Sequence, residues 1–173
     1  MKKIIRSLFL TGIVVSLYAS TTLAATLTPA SGGNAISADT TGGTYTSLTG
    51  PVYLEGALGD VGTGTIVLNA PTGLRFDTGG TAPTVKVHGN GNANKNINNS
   101  ADNGTIPVTV TSSNLTITIT TSSGSAGTPN TLTWQNVRVR PTVGSPLASG
   151  NITKSGTSSM AGITGTSNFG TLT

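Results

Sequence analysis

The chain contains no cysteine and very little charge. Of its 173 residues, 8% are Asp, Glu, Lys or Arg, 4% are aromatic, and one is histidine. Without cysteine, neither a disulfide framework nor a thiolate metal site can form, so stability must come from packing, sheet hydrogen bonds or a partner subunit. Long exposed helices need Glu, Lys and Arg on their outer face, so the shortage of charge argues against such helices.

The first 24 residues are organised like a secretory signal peptide. A positively charged start precedes an apolar stretch at residues 7–19, which is too short to span a bilayer comfortably, and small residues lead to a cleavage site after Ala24. An uncleaved membrane anchor is the alternative, disfavoured because Arg6 interrupts the apolar run. We therefore expect a secreted, extracellular protein without a membrane span in the mature chain.

Cleavage changes the charge balance. Three of the nine basic residues lie in the signal segment, whereas all five acidic residues follow it, so the mature chain carries a net charge of +1. Nucleic acids and anionic membranes are recognised by strongly basic surfaces, and a nearly neutral chain lacks one. We therefore exclude nucleic acid as a partner.

The mature sequence predicts an all-β fold. Short β-branched runs alternate with Gly, Pro, Asn and Asp clusters, and threonine repeatedly occupies the face opposite the aliphatic residues. This pattern favours a single antiparallel β-sandwich of immunoglobulin-like or jelly-roll type. We expect a signal peptide at 1–24, an extended arm or first strand at 25–43 (the N-terminal arm), and the sandwich at 44–173. The predicted strands are 45–48, 52–55, 63–70, 74–76, 84–87, 105–111, 115–120, 131–140, 151–154 and 160–163.

Two strand regions carry specific predictions. Residues 105–111 and 115–120 are predicted to form an antiparallel hairpin, because each alternates aliphatic residues with threonine. In residues 131–140 the apolar parity changes after Trp134, and a bulge near Asn136 would return the following valines to the inner face, with both arginines outward.

The sequence offers no convincing site for catalysis, a cofactor or a metal. His88 is out of phase with its valine neighbours and is predicted to face solvent, and no Gly-x-Ser-x-Gly elbow is present. Residues 59–64 are glycine-rich but do not open a helix, which argues against a phosphate cradle. Residues 88–104 predict a long surface loop, in which Asp102 with Asn98, Asn99 and Asn103 lacks the order of a dedicated calcium loop. We expect no enzyme.

The aromatic residues suggest a sugar-stacking platform as one possibility. It would use Trp134, Tyr45 and Tyr53. Trp134 is in phase with Leu132, which favours core packing for its ring, whereas Tyr53 alternates with two aliphatic residues and is predicted to be exposed.

Threonine suggests a second kind of surface. If the strands near 108, 117 and 132 are neighbours, one side of a sheet is paved with uncharged side chains. Such a face has little desolvation penalty and lacks charge repulsion, as adhesion, self-association or ice binding requires. The alternative is ordinary solvent-facing threonine, which strands favour. The residues concerned are Thr109, Thr111, Thr116, Thr118, Thr120, Thr131 and Thr133.

Four segments resemble a known class of surface module. Residues 48–52, 62–76, 130–142 and 146–153 are similar to the immunoglobulin-like β-sandwich repeats of large bacterial secreted and adhesin-type proteins. The resemblance implies a sandwich, an extracellular location and a structural or adhesive role, and it brings no catalytic residues.

The expected function follows from a module that has only its own signal peptide before it. We expect a structural subunit that assembles into a surface filament or matrix by β-strand addition, using residues 25–38 or the tail at 168–173. The alternative is an adhesive or carbohydrate-binding module, with ice binding as a further possibility. Partners would be copies of the chain, other surface proteins or polysaccharides.

Overall fold

The computed structural model describes residues 23–41, 44–145 and 147–173, and short β-strands dominate these ranges. The predicted signal peptide lies almost wholly outside the described residues, at 1–22. Helical structure in the described ranges amounts to two three-residue 3-10 helices, at Ala93–Lys95 and Ile97–Asn99. The predicted all-β class is confirmed.

The strands of the described ranges pair antiparallel in three sheets. In chain order they are β1 (Thr26–Thr28), β2 (Thr46–Ser47), β3 (Val52–Leu54), β4 (Gly64–Asn69), β5 (Leu74–Phe76), β6 (Thr84–His88), β7 (Gly104–Pro107), β8 (Thr109–Val110), β9 (Asn114–Ile119), β10 (Thr131–Gln135), β11 (Arg138–Pro141), β12 (Gly150–Ser155) and β13 (Gly170–Leu172). Sheet 1 has the order β1-β3-β10-β6-β7, sheet 2 the order β13-β12-β4-β9-β8, and sheet 3 the order β2-β11-β5.

The inward side chains of the three sheets form one hydrophobic core. In β9 the two-residue period is regular, because Leu115, Ile117 and Ile119 are buried while Thr116 and Thr118 lie on the outer face. Each such aliphatic side chain contributes roughly 1.5–3 kcal/mol on burial. The arrangement is sandwich-like, with sheets 1 and 2 as its two large layers.

The predicted hairpin is only partly correct. Residues 109–110 pair with β9, with Thr109 opposite Thr116, but β7 pairs with β6 in sheet 1 instead. The chain changes sheets at Val108, directly after Pro107. Proline has no amide hydrogen to donate to a ladder and is confined to strand ends and edges, which favours a break at this point.

The predicted strand at 131–140 is two strands in different sheets. β10 lies in the middle of sheet 1 and β11 in the middle of sheet 3. Between them Asn136 adopts a left-handed conformation with φ 57°, which asparagine tolerates better than most residues. Val137 and Val139 are buried beyond this break, so the predicted return to the inner face is confirmed although its cause is a sheet change.

The other predicted strands differ from the structure mainly at their ends. One prediction is wrong, because residues 160–163 form no strand and only Met160 makes an isolated bridge, to Val61. Within the N-terminal arm, residues 26–28 form the short strand β1.

The loop at 88–104 is held to the body by buried groups. Ile97 is fully buried, and Asn96, also fully buried, donates from Nδ2 to the carbonyls of Asn90 (2.8 Å) and Ser100 (2.9 Å). A side-chain amide that satisfies loop carbonyls replaces the ladder hydrogen bonds that the loop lacks.

No helix in the described ranges combines the length and apolarity that a membrane crossing requires.

Candidate assembly surface

The N-terminal arm forms an edge of sheet 1. β1 pairs antiparallel with β3 along its whole length, with Thr26 opposite Leu54 and Thr28 opposite Val52. On its other side β3 pairs with β10, so β3 would be the edge strand if the arm were absent. An uncovered strand edge is a template for another strand.

The same arm also covers the edge of sheet 2. Ala30 N donates to Phe169 O (2.8 Å), Thr173 N donates to Gly33 O (2.7 Å), and Ile36 N donates to Thr173 O (3.4 Å). The arm therefore runs from the free edge of β3 to the free edge of β13 and caps both large sheets.

Glycines make room for the arm where it approaches the body most closely. A Cβ at Gly56 would collide with the backbone of residues 23–25, and a Cβ at Gly170 would come within 2.9 Å of Ala30 Cβ. Any side chain at Gly56 would thus displace the start of the arm.

The arm buries less apolar surface than the C-terminal tail. Its large apolar side chains are Leu27, which is half-buried, and Ile36, which is buried. The tail places Phe169 and Leu172 fully inside the core. Detaching the arm therefore costs less apolar burial than detaching the tail.

Two arginines of sheet 3 hold the C-terminal part of the N-terminal arm. Arg75 Nη2 donates to Thr40 O (3.0 Å), and Arg140 Nη1 donates to Thr41 O (2.8 Å). The Arg140 guanidinium also lies 4.5 Å from the centroid of the Tyr45 ring, a cation–π contact. These contacts fix the end of the arm that connects to β2.

A buried carboxylate lies where the arm begins, beyond the end of β3. Glu55 is 2% exposed; its Oε1 accepts hydrogen bonds from Val61 N (3.1 Å) and Ser123 Oγ (3.0 Å), and its Oε2 from Asn130 N (2.8 Å). Sequence reasoning missed this group, although Glu55 shares its parity with Tyr53. Buried carboxylates persist only when hydrogen bonds replace water, as they do here.

A second carboxylate and a tyrosine lie beside Glu55. Asp60 Oδ2 accepts from Gly56 N (2.8 Å) and Ala57 N (2.9 Å). Burial raises the pKa of the Tyr53 hydroxyl well above its usual range, and the charges of Asp60 and Glu55 raise it further.

The aromatic platform is not formed. Tyr53 is fully buried and donates from its hydroxyl to Ala161 O (3.0 Å), so the prediction that its ring is exposed is wrong. Leu54 faces out instead, 41% exposed. Trp134 is buried in the core, as its phase with Leu132 predicted. Tyr45 is the remaining residue of the three proposed for the platform, and its ring is covered by the Arg140 guanidinium.

The threonine face is differently composed from the one predicted. Thr131 and Thr133 belong to sheet 1, where Thr133 is paired with Lys86, so that part of the prediction is wrong. In sheet 2, Thr116 and Thr118 of β9 are flanked by β8 and β4. Which threonines are neighbours on a sheet face depends on pairing between strands that are distant in the sequence. The outward residues of sheet 2 are uncharged and include Thr65, Val67, Asn69, Thr109, Asn114, Thr116, Thr118, Asn151, Thr153, Ser155 and Thr171.

His88 faces solvent, as predicted, with its side chain 61% exposed. Its Nδ1 lies 2.8 Å from Asp102 Oδ1. The backbone N–H of Gly89, and then His88, hold the pKa of Asp102 below its usual range. Asn98 is turned elsewhere, because its Oδ1 accepts from Thr120 N (2.7 Å). The side-chain oxygens of Asp102 and Asn98, two of the residues considered for calcium, therefore have other partners.

The described surface carries two open grooves. One of about 340 Å³ lies where the arm crosses to sheet 2 and is lined by residues 29–34 with Asn168 and Thr171. Another of about 320 Å³ lies at the break between β10 and β11, next to Arg138. In the described ranges no three His, Cys, Asp or Glu residues lie close enough to hold a metal ion.

Comparison with known proteins found no matching family model, curated protein or solved structure.

Proposed function

We propose that this chain is a secreted structural subunit of a bacterial surface filament or matrix, with an immunoglobulin-like β-sandwich that assembles by strand addition. The N-terminal arm is the donor strand, and the edges of β3 and β13 are the acceptor. The proposal assigns no catalytic activity to the chain, and its partners are further copies of the same chain.

One observation carries this proposal: the arm caps the edges of both large sheets through pairings that are distant in sequence. A second copy of residues 25–36 can make the same contacts with β3 and β13, because these contacts do not depend on the connection to the body. Residues 37–45 connect the exchanged part of the arm, residues 25–36, to β2 and span about 30 Å when extended. Each subunit that gives its arm to the next leaves an open interface, which produces a filament.

Engineered cysteines test the proposal directly, because the natural chain has none. Thr26→Cys with Leu54→Cys places two thiols directly opposite each other on β1 and β3, within disulfide reach. If arms are exchanged, oxidation of assembled protein gives a ladder of covalent multimers on a non-reducing gel. If each arm stays in its own sheet, oxidation gives a cross-linked monomer at every protein concentration, and the proposal fails.

A matched control pair shares one of these positions. Thr131 of β10 also lies opposite Leu54, on the other side of β3, and both residues belong to the body of the domain. Thr131→Cys with Leu54→Cys should therefore give a cross-linked monomer whether or not arms exchange. Electron microscopy of the mature protein should show filaments, and deletion of residues 25–36 should abolish them.

A second candidate function is an adhesive module, favoured by the uncharged outer face of sheet 2. Thr65 and Thr118 are paired neighbours at one end of that face, and Asn69 and Asn114 are paired at the other, with Asn114 Nδ2 donating to Asn69 Oδ1 (2.8 Å). Such a face suits a polysaccharide or another uncharged surface, since no buried charge is left unpaired on contact.

Charge insertion separates the two candidates. Thr118→Lys should abolish binding to a glycan array if sheet 2 is adhesive, whereas it should leave arm cross-linking unchanged. Thr133→Lys, on the outer face of sheet 1 beside Lys86, is the matched control. Glycan binding that survives Thr118→Lys would rule out the adhesive candidate. The same variant also tests ice binding, which is measured by thermal hysteresis.

A further inference from the structure

The first residue of the processed chain lies beside two acidic groups. The β1–β3 register ends with Thr26 opposite Leu54, so Ala25 and Glu55 are the next residues along the two strands. The Ala25 nitrogen lies close to Gly56, because a Cβ added at Gly56 would come within 2.5 Å of it. Gly56 N in turn donates a hydrogen bond to Asp60 Oδ2 (2.8 Å). Standard bond lengths then place the Ala25 nitrogen no more than about 8 Å from the Asp60 carboxylate.

These two carboxylates have no cationic side chain as a partner. The ion pairs formed by the described residues are His88 with Asp102 and Arg138 with Asp77. Glu55 and Asp60 are satisfied by backbone N–H groups and one hydroxyl, all of them neutral. Negative charge is therefore left uncompensated at the start of the arm.

We propose that Glu55 and Asp60 form a binding site for the α-ammonium group created by cleavage after Ala24. The inference rests on the proposed function, because it requires the export cleavage. Before cleavage Ala25 N is an uncharged amide, and the preceding backbone crosses over Gly56. Cleavage places a positive charge within about a Debye length of the Asp60 carboxylate, with Glu55 at the end of the adjoining strand, and this charge strengthens the attachment of the arm. In an assembled filament the ammonium group comes from one subunit and the carboxylates from the next.

The other titratable groups around this site do not oppose the pairing. Tyr53 on β3 is neutral because its pKa is raised. Residues 158–163, which contact Asp60 through Ala161 N, contain no ionisable side chain. Lys154 precedes this segment in the sequence, and its Nζ donates a hydrogen bond to Ser158 O.

The test uses residues 25–173 with a free amino terminus, kept dilute so that the protein is monomeric. Selective labelling of the Ala25 methyl group reports the α-amino titration by NMR. We expect a pKa at least about half a unit above the ordinary range of roughly 7.7–8.0. In Asp60→Asn the value should fall back into that range, whereas in Asp102→Asn, which removes a distant surface carboxylate, it should stay high. An ordinary pKa in the wild type, or the same raised value in Asp60→Asn, would overturn the inference.

Acetylation of Ala25 provides a second readout that leaves the Asp60 turn intact. A raised α-amino pKa contributes stability that is complete below about pH 7.7 and is lost as the pH rises through the folded value. The free form should therefore melt at a higher temperature than the acetylated form at pH 6, and at the same temperature at pH 10. Equal melting at pH 6 would contradict the inference. Both readouts use the monomer, so failure of arm exchange in the cysteine experiment leaves them interpretable.

Discussion

Trp134 and Phe169 meet edge to face, with ring centroids 6.1 Å apart and ring planes at 80°. Trp134 lies in β10 of sheet 1, and Phe169 directly precedes β13 of sheet 2. The contact therefore joins the two large layers inside the core. Phe169 N donates to Ile152 O (2.8 Å) and Phe169 O accepts from Ala30 N, so one residue links the core, β12 and the arm.

Truncation of this ring should be among the most damaging changes in the chain. Phe169→Ala removes a fully buried aromatic side chain and leaves a cavity beside Trp134. We expect a loss of about 3–5 kcal/mol in the free energy of unfolding, measured by urea denaturation. Leu54→Ala, which truncates an exposed apolar side chain, should change stability by about 0.5 kcal/mol or less. Equal losses in the two variants would show that Phe169 does not join the layers.

The sequence predicted those parts of the fold that depend on local alternation. β5 occurs at the predicted residues, and Leu115, Ile117 and Ile119 line the core as their spacing indicated. The sheet changes at Val108 and Asn136 were not predictable in the same way, because they depend on which distant strand is available as a partner. Alternation shows that a strand has two faces, but not which sheet it joins.

The buried acid of the candidate site was hidden for a similar reason. Alternation placed Tyr53 and Glu55 on one face and aliphatic residues on the other, and aliphatic residues usually mark the inner face. Here the carboxylate is buried because hydrogen-bond donors from three separate segments surround it. The signal that could have identified the inner face is the large apolar area of Tyr53 next to a carboxylate able to accept several backbone N–H groups.

The pKa of Tyr53 should appear in the alkaline stability of the domain. A pKa raised by folding contributes stability that is complete below about pH 10 and is lost as the pH rises further. Tyr53→Phe removes both the titration and the hydrogen bond to Ala161 O, at a cost of about 1 kcal/mol at neutral pH. The difference between wild type and variant should therefore shrink above pH 10. A constant difference up to pH 12 in denaturation curves would contradict this account.

Asn98 should stabilise the 88–104 loop through both its backbone and its side chain. Its φ of 55° lies in the left-handed region, and its Nδ2 donates to Thr118 O (2.8 Å) while its Oδ1 accepts from Thr120 N. Asn98→Gly keeps the backbone geometry and loses the hydrogen bonds, for an expected cost of about 1–2 kcal/mol. Asn98→Ala should cost about 1 kcal/mol more, because alanine is strained at this φ. Equal melting temperatures of the two variants would show that the left-handed backbone conformation of residue 98 does not affect stability.

Release of the C-terminal part of the arm, at Thr40 and Thr41, should promote arm exchange. Arg75 and Arg140 hold the carbonyls of Thr40 and Thr41, so an arm that crosses to a neighbour must bend at or before this point. Arg140→Ala removes one hydrogen bond and the stacking on Tyr45, which lengthens the free connection. In the Thr26→Cys, Leu54→Cys background we expect a larger fraction of covalent multimers and a shift of their formation to lower protein concentration.

The matched control for Arg140 is the neighbouring arginine on β11. Arg138 pairs with Asp77 at 2.7 Å, so Arg138→Ala removes a charge of the same sign from the same strand without affecting those two carbonyls. Multimer formation should then remain at the wild-type level. If both variants raise the multimer fraction equally, general destabilisation of sheet 3 explains the effect, and the two carbonyl contacts do not control exchange. If neither variant changes it, the arm bends before Thr40 and the arginines play no part.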